Sequence, residues 1–204
     1  MGLLKILFRA VRKSSRPKRQ RSRTFVYSER KSKQFCSPKP VPYPEKVRHQ
    51  NDLGRIQALP VVRVVHVIDG DTVIVSSASA DYKIRLDSID CPEDGQVWGD
   101  IATRGLINLI GGKSVRLETH GTDAHGRTLG TLFVDSQEKG EWQNVNERMV
   151  TLGHAWVSRL NYVHLPKPRQ QKLNQLERWA KSKSVGLWKT ENPTPPWKWR
   201  NNEE

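Results

Sequence analysis

From residue 61 onward the chain alternates between two hydrophobic periods. Residues 61–68 and 71–77 are β-branched runs, and residues 82–89 return after a polar turn. The spacing predicts three strands joined as hairpins. Side chains alternate across a strand, so in the third run Ile84 and Leu86 face one side while Lys83, Arg85 and Asp87 face the other. Arg85 and Asp87 are therefore expected to point away from the core. At residue 98 the period changes. Trp98, Ile101, Ala102, Gly105, Leu106 and Leu109 follow helical spacing, and Gly111-Gly112 is a stop signal. Residues 113–119 and 128–134 read as two more strands, and residues 144–152 and 170–183 as two more helices. Five strands and three helices predict an α+β fold: a small antiparallel barrel with helices packed on it.

A different pattern precedes this domain. Leu3, Leu4, Leu7, Phe8 and Val11 fall on one helical face, and Lys5, Arg9 and Arg12 on another. Residues 1–13 are therefore a candidate basic amphipathic helix. Residues 14–58 are basic and rich in Ser and Pro, with Pro38, Pro40, Pro42 and Pro44 alternating. Such a segment is expected to be an extended, largely disordered linker. The folded domain is expected over residues 59–189, with Trp188 packing its end onto the barrel. A Pro- and Trp-rich tail, residues 190–204, follows.

Charge sharpens this division. The chain has a formal net charge of +14, and residues 1–50 hold fifteen Lys or Arg against two Glu. The domain is close to neutral. A basic block of this kind suits nucleic acid, and residues 1–13 also suit an anionic membrane surface. Lys5 and Arg9 interrupt any secretory core, and Ile6 breaks the myristoylation pattern. Cytoplasmic, membrane-surface and organelle locations all stay open. The two cysteines, Cys36 and Cys91, have neither a disulfide framework nor zinc spacing.

The chemistry gathers at one predicted hairpin. Asp71 opens the second run, and Asp90 and Glu93 close the third. Antiparallel pairing would bring the start of one near the end of the other, so these acids are expected to converge. Converging carboxylates repel unless a hard divalent cation neutralises them. Arg85 is a planar cation suited to phosphate oxygens, and Arg127 follows in a turn-like segment. This combination suits phosphoryl chemistry, and its physical reading is a nuclease. The plain rival is that the acids are turn formers and Arg85 a surface residue. His120 and His125 lie on one connection without a third ligand, so no transition-metal site is assigned.

The chain resembles the staphylococcal nuclease (thermonuclease) family. The resemblance is carried by Val67-Ile68-Asp69-Gly70-Asp71-Thr72, by Arg85-Leu86 with Ile89-Asp90-Cys91-Pro92-Glu93, and by Asp123-Ala124-His125-Gly126-Arg127. Val145-Asn146, Leu152-Gly153-His154-Ala155-Trp156-Val157 and Gly186-Leu187-Trp188 follow in the family's order. The resemblance covers residues 59–189. It implies a five-stranded OB-like barrel with three helices, and a Ca²⁺-dependent endonuclease of the hydrolase class. DNA and RNA are the implied substrates, cut on the 5′-oxygen side to leave 3′-phosphate ends. It implies Asp71 and Asp90 as side-chain ligands of Ca²⁺, with the Cys91 backbone carbonyl as a third. Glu93 is implied to orient or deprotonate the attacking water, Arg85 and Arg127 to grip the phosphate, and Asp69 to fix the metal site from behind. Cys91 stands where the best-known member has threonine, and His125 where it has tyrosine. A monomer is expected. The alternative is a non-catalytic nucleic-acid-binding module of the same fold, which has no need of all five of Asp71, Arg85, Asp90, Glu93 and Arg127. A third reading makes the N-terminal helix a membrane or partner tether, with the nuclease domain as its cargo.

Overall fold

Five strands close into a ring. The computed structural model describes residues 53–136 and 141–201. The helix expected at residues 1–13 and the linker up to residue 52 lie outside the described residues. Strands β1 (Val61–Val67), β2 (Thr72–Ser76) and β3 (Asp81–Leu86) form an antiparallel meander, with Val64 opposite Val75 and Val73 opposite Ile84. Strand β4 (Ile89–Asp90) leaves this sheet. Strand β5 (Ser114–Thr122) pairs with the other edge of β1, and β6 (Thr128–Asp135) pairs antiparallel with β5. Strand β6 then meets β3, with Ile84 opposite Thr128 and Leu86 opposite Gly130. That last seam is parallel, which the expectation of an antiparallel barrel left out. Five is odd, so a ring of strictly alternating strand directions cannot close. Gly130 lets the seam form: a Cβ there would lie 2.8 Å from Leu117 and 3.1 Å from Ile84. Strand β7 (Trp142–Asn144) pairs antiparallel with the end of β6, and β8 (Trp156–Val157) pairs with β4 in a separate two-stranded ladder.

The inward residues are the apolar ones that alternation selected. Val62, Val64, Val73, Val75, Ile84, Leu86, Leu117 and Leu132 are buried together. Three longer helices appear where the period changed. Helix α2 (Gly99–Ile110) buries Ala102, Leu106 and Ile110. Helix α3 (Val145–Thr151) is capped by Asn144, whose side chain accepts from the Glu147 N–H. Helix α4 (Lys167–Ser182) buries Leu173, Leu176 and Ala180. Ahead of β1, helix α1 (Leu53–Ala58) occupies the end of the segment expected to be linker. Its Ile56 is buried, and its Arg55 pairs with Glu118 of β5.

Asp87 departs from the alternation reading. It is 2% exposed rather than outward-facing. Strand β3 has ended by then, and Ser88 adopts a left-handed φ of 64° that turns the chain inward. Asp87 accepts from Ser88 Oγ at 2.7 Å, and its backbone carbonyl accepts from Asn146 Nδ2 at 3.0 Å. Asn146 also accepts from the Leu132 N–H, so one side chain fastens α3 to the barrel.

The C-terminal end folds back as expected, and further than expected. Gly153 and Gly186 pass so closely that a Cβ on Gly153 would lie 2.1 Å from the Val185 carbonyl oxygen. Both have positive φ. A 3₁₀ turn (Gly186–Lys189) sets Trp188 edge-on to Trp156, with ring centroids 5.2 Å apart. Helix α5 (Pro196–Arg200) follows, and its Trp197 meets the same Trp156 at 6.4 Å.

Candidate active site

The β2–β3 hairpin builds the site. Thr72 lies opposite Arg85, and the Asp71 carbonyl accepts from the Leu86 N–H at 2.7 Å. Asp71 therefore sits at the end of β3. The Asp69 side chain accepts from the Asp71 N–H at 2.9 Å and fixes the turn ahead of β2. Asp71 Oδ2 accepts from the Cys91 N–H at 2.7 Å and pairs with Arg85 Nη1 at 2.7 Å. Arg85 Nη2 donates to Asp90 Oδ1 at 2.8 Å. One guanidinium thus bridges two carboxylates that are nineteen positions apart in the sequence. Asp71 is 6% exposed and Asp90 4%.

Burial sets the electrostatics. It pushes the Asp71 carboxyl up to about 7, although Arg85 and the Cys91 N–H pull the other way. Arg85 is raised: burial works against its charge, but Asp71 and Asp90 outweigh that. Two buried carboxylates whose oxygens are already drawn to a cation fit a hard divalent ion. Cys91 differs. Burial, with Asp71 adding to it, pushes its thiol well above the usual range, and Sγ donates to the Gly70 carbonyl at 3.1 Å. It is a neutral packing group whose side chain faces the interior.

The other expected residues are placed less centrally. Glu93 is partly exposed, and its N–H donates to Gln96 Oε1 at 3.0 Å. Arg127 precedes β6, whose parallel register sets it beside β3. Its Nε donates to Asp123 Oδ2 at 2.7 Å, within its own loop. Asp123 also accepts from the His125 N–H at 2.9 Å; burial raises its carboxyl, but the Arg127 and His125 donors together outweigh that and hold it low. His125 is exposed on that loop.

Sequence reading missed Arg200. Its Nη2 lies 2.9 Å from Asp90 Oδ2, and its Nη1 contacts Glu93 Oε1. Asp90's hydrogen bond raises the Arg200 pKa further. The available signal was Pro195-Pro196-Trp197-Lys198-Trp199-Arg200. Pro at a helix start and two anchoring Trp are the marks of a docked turn rather than a free tail.

The family model for staphylococcal nuclease homologues matches residues 83–190. The chain belongs to the staphylococcal nuclease family. It is 36% identical to the protein ParB of Escherichia coli over 140 residues, covering 67% of this chain and 77% of that one. It is 35% identical to the micrococcal nuclease of Shigella flexneri over 140 residues, covering 67% and 78%. An uncharacterized endonuclease of Haemophilus influenzae is 36% identical over 143 residues, covering 70% and 74%. As a staphylococcal nuclease homologue, the chain is a nuclease, a hydrolase whose substrates are nucleic acids. Asp69 and Asp71 lie ahead of the span matched by the family model, in the turn that leads into β2.

A second cluster in this nuclease is distinct from the hairpin site. Asp87, His120 and His164 offer ligand atoms within 4.8 Å of one another. His164 Nε2 lies 3.0 Å from Asp87 Oδ2, and His120 Nε2 lies 2.9 Å from Thr131 Oγ1. Both imidazoles are thus held by protein partners, and burial lowers the His120 pKa. Two nitrogen donors do not suit a calcium-type ion, whereas the all-oxygen set of Asp71 and Asp90 does.

Proposed function

We propose that this nuclease is Ca²⁺-dependent, hydrolyses phosphodiester bonds of both DNA and RNA, and leaves 3′-phosphate ends. The observation that carries the reading is the Arg85 bridge between Asp71 and Asp90, 2.7 and 2.8 Å long, in a buried corner of the hairpin. Asp71 and Asp90 would hold the cation, with the Cys91 backbone carbonyl as a third oxygen and Asp69 fixing the turn behind them. The chemistry supplied by bound Ca²⁺ is charge neutralisation at the phosphate. Arg85, beside these carboxylates, would offer its planar fork to phosphate oxygens. Glu93 orients and deprotonates the attacking water. Arg127 stabilises the negative charge that develops on phosphorus-bound oxygens. Asp123 holds Arg127 through Nε, an orientation that directs the guanidinium rather than consuming its two Nη groups.

Plasmid DNA and RNA incubated with Ca²⁺, with Mg²⁺ or with EDTA test this reading. Cleavage of both polymers in Ca²⁺, and none in EDTA, is the expected result. Strong cleavage in EDTA removes the metal assignment. Binding without cleavage under every condition supports the binding-module reading instead.

A further inference from the structure

The two arginines at the site divide its carboxylates between them. Arg85 spans Asp71 Oδ2 and Asp90 Oδ1. Arg200 spans Asp90 and Glu93, with Nη2 2.9 Å from Asp90 Oδ2 and Nη1 3.3 Å from Asp90 Oδ1 and in contact with Glu93 Oε1. Arg85 thus lies between the two carboxylates that would hold the cation. Arg200 makes its shorter Asp90 contact with Oδ2 and a longer one, at 3.3 Å, with the Oδ1 that Arg85 also holds.

The approach of Arg200 is built, not incidental. Gln96 is 6% exposed and faces two ways. Its Oε1 accepts from the Glu93 N–H at 3.0 Å, and its Nε2 donates to the Thr194 carbonyl at 2.7 Å. One buried amide therefore stitches the loop of Glu93 to the tail that carries Arg200. On the other side, Trp197 packs against Trp156, and Trp156 pairs with Asp90 across the β4–β8 ladder. Pro195 and Pro196 at the helix start lower the entropy lost when the tail docks. The tail is thus fastened to the strand of Asp90 and to the loop of Glu93.

We propose that Arg200 is a positioning residue of the nuclease, which holds Glu93 against Asp90 in the orientation that hydrolysis uses. The proposal rests on the reading of Asp71, Asp90 and Glu93 as the catalytic carboxylates. Glu93 is the most exposed of the three, and a Glu side chain loses rotamer freedom when fixed. A guanidinium can bridge two carboxylates in one plane, which an ammonium cannot do with the same geometry.

The test is made on the full chain, by steady-state kinetics and by Ca²⁺ titration calorimetry. Arg200→Ala should lower kcat by about 10- to 100-fold at saturating Ca²⁺, the scale of loss for a misplaced catalytic group. KM for the nucleic acid should change little. Arg200→Lys should recover part of the loss. Ca²⁺ should bind Arg200→Ala as tightly as the wild type or more tightly, because a positive charge beside Asp90 is gone. Lys198→Ala, on the same helix, should change neither quantity, and thermal melts of all variants should coincide. Slower chemistry without weaker metal binding is the signature of positioning. Faster cleavage with tighter Ca²⁺ would make Arg200 a plug and overturn the proposal. A raised KM at unchanged kcat would make it a docking residue, and an unchanged enzyme would reduce the tail to packing; either result overturns it. Metal-independent cleavage by the wild type, or full activity of Glu93→Gln, defeats the underlying reading whatever Arg200→Ala does.

Discussion

Asp71 owes its character to its surroundings: burial raises its carboxyl to about 7, and the Arg85 guanidinium and the Cys91 N–H oppose that rise. Glu93, three residues beyond Asp90, lies at the rim. In the proposed mechanism Asp71 holds the cation and Glu93 meets the attacking water. Glu93→Gln should therefore lower kcat by roughly 10²- to 10⁴-fold with nucleic-acid affinity nearly intact. Single-turnover cleavage set beside equilibrium binding decides it, and cutting at the wild-type rate removes Glu93 from the mechanism. Cys91→Ser should leave cleavage and Ca²⁺ affinity close to wild type, since Sγ only donates to the Gly70 carbonyl and a hydroxyl can do the same. A large loss in either assay would reopen a role for the thiol. The convergence of Asp71, Arg85 and Asp90 was legible because strand pairing turns an acid before one run and an acid after the next into neighbours. Asp87 was not legible. Alternation counted it outward, but the rule stops applying where the strand stops, and the left-handed Ser88 redirects the chain at that point.

Among the elements, the barrel strands and the three longer helices followed from period alone, because each period reports which face is buried. Helix α1 and helix α5 did not, since six and five residues carry too little periodic signal. Their positions depend on tertiary partners: Arg55 on Glu118, and Trp197 on Trp156. The joint between α4 and β8 depends likewise on one buried acid. Glu177 is 1% exposed and accepts from the Val157 N–H at 2.9 Å, with Arg159 and Lys181 at its other oxygen. Burial raises its carboxyl, but these donors win and hold it below its usual 4.5. A carboxyl lowered by folding stabilises the fold above its unfolded value, and the contribution is lost as pH falls through the folded one. Glu177→Gln should therefore cost about 1–3 kcal/mol at neutral pH, the scale for disrupting buried hydrogen-bond partners. The gap between wild type and variant should close as pH falls below 4.5. Urea unfolding at stepped pH measures it, and a gap that stays constant into acid would show that the charge of Glu177 contributes nothing.

At the scale of the whole molecule, charge and chemistry are separated along the chain. Residues 1–50 hold fifteen Lys or Arg against two Glu, and none of the residues proposed for catalysis. The barrel, its hairpin site and the docked α5 all lie within residues 53–201. Deleting residues 1–50 should therefore preserve Ca²⁺-dependent cleavage while weakening nucleic-acid binding at low salt. Each phosphate contact made by the deleted segment steepens the slope of log affinity against log salt by about 0.9 on duplex DNA or about 0.7 on single strands. The truncated nuclease should show a shallower slope by a multiple of that increment. If residues 1–13 form the expected helix, its Leu3, Leu7, Phe8 and Val11 side and the basic residues between them would suit anionic lipid. Co-sedimentation with vesicles containing anionic lipid separates the two uses, because a lipid role moves the protein into the pellet and leaves the salt slope of the truncated enzyme unchanged. If truncation alters neither quantity, the segment is a partner-binding, targeting or solubilising extension, and its charge does not act on nucleic acid or membrane.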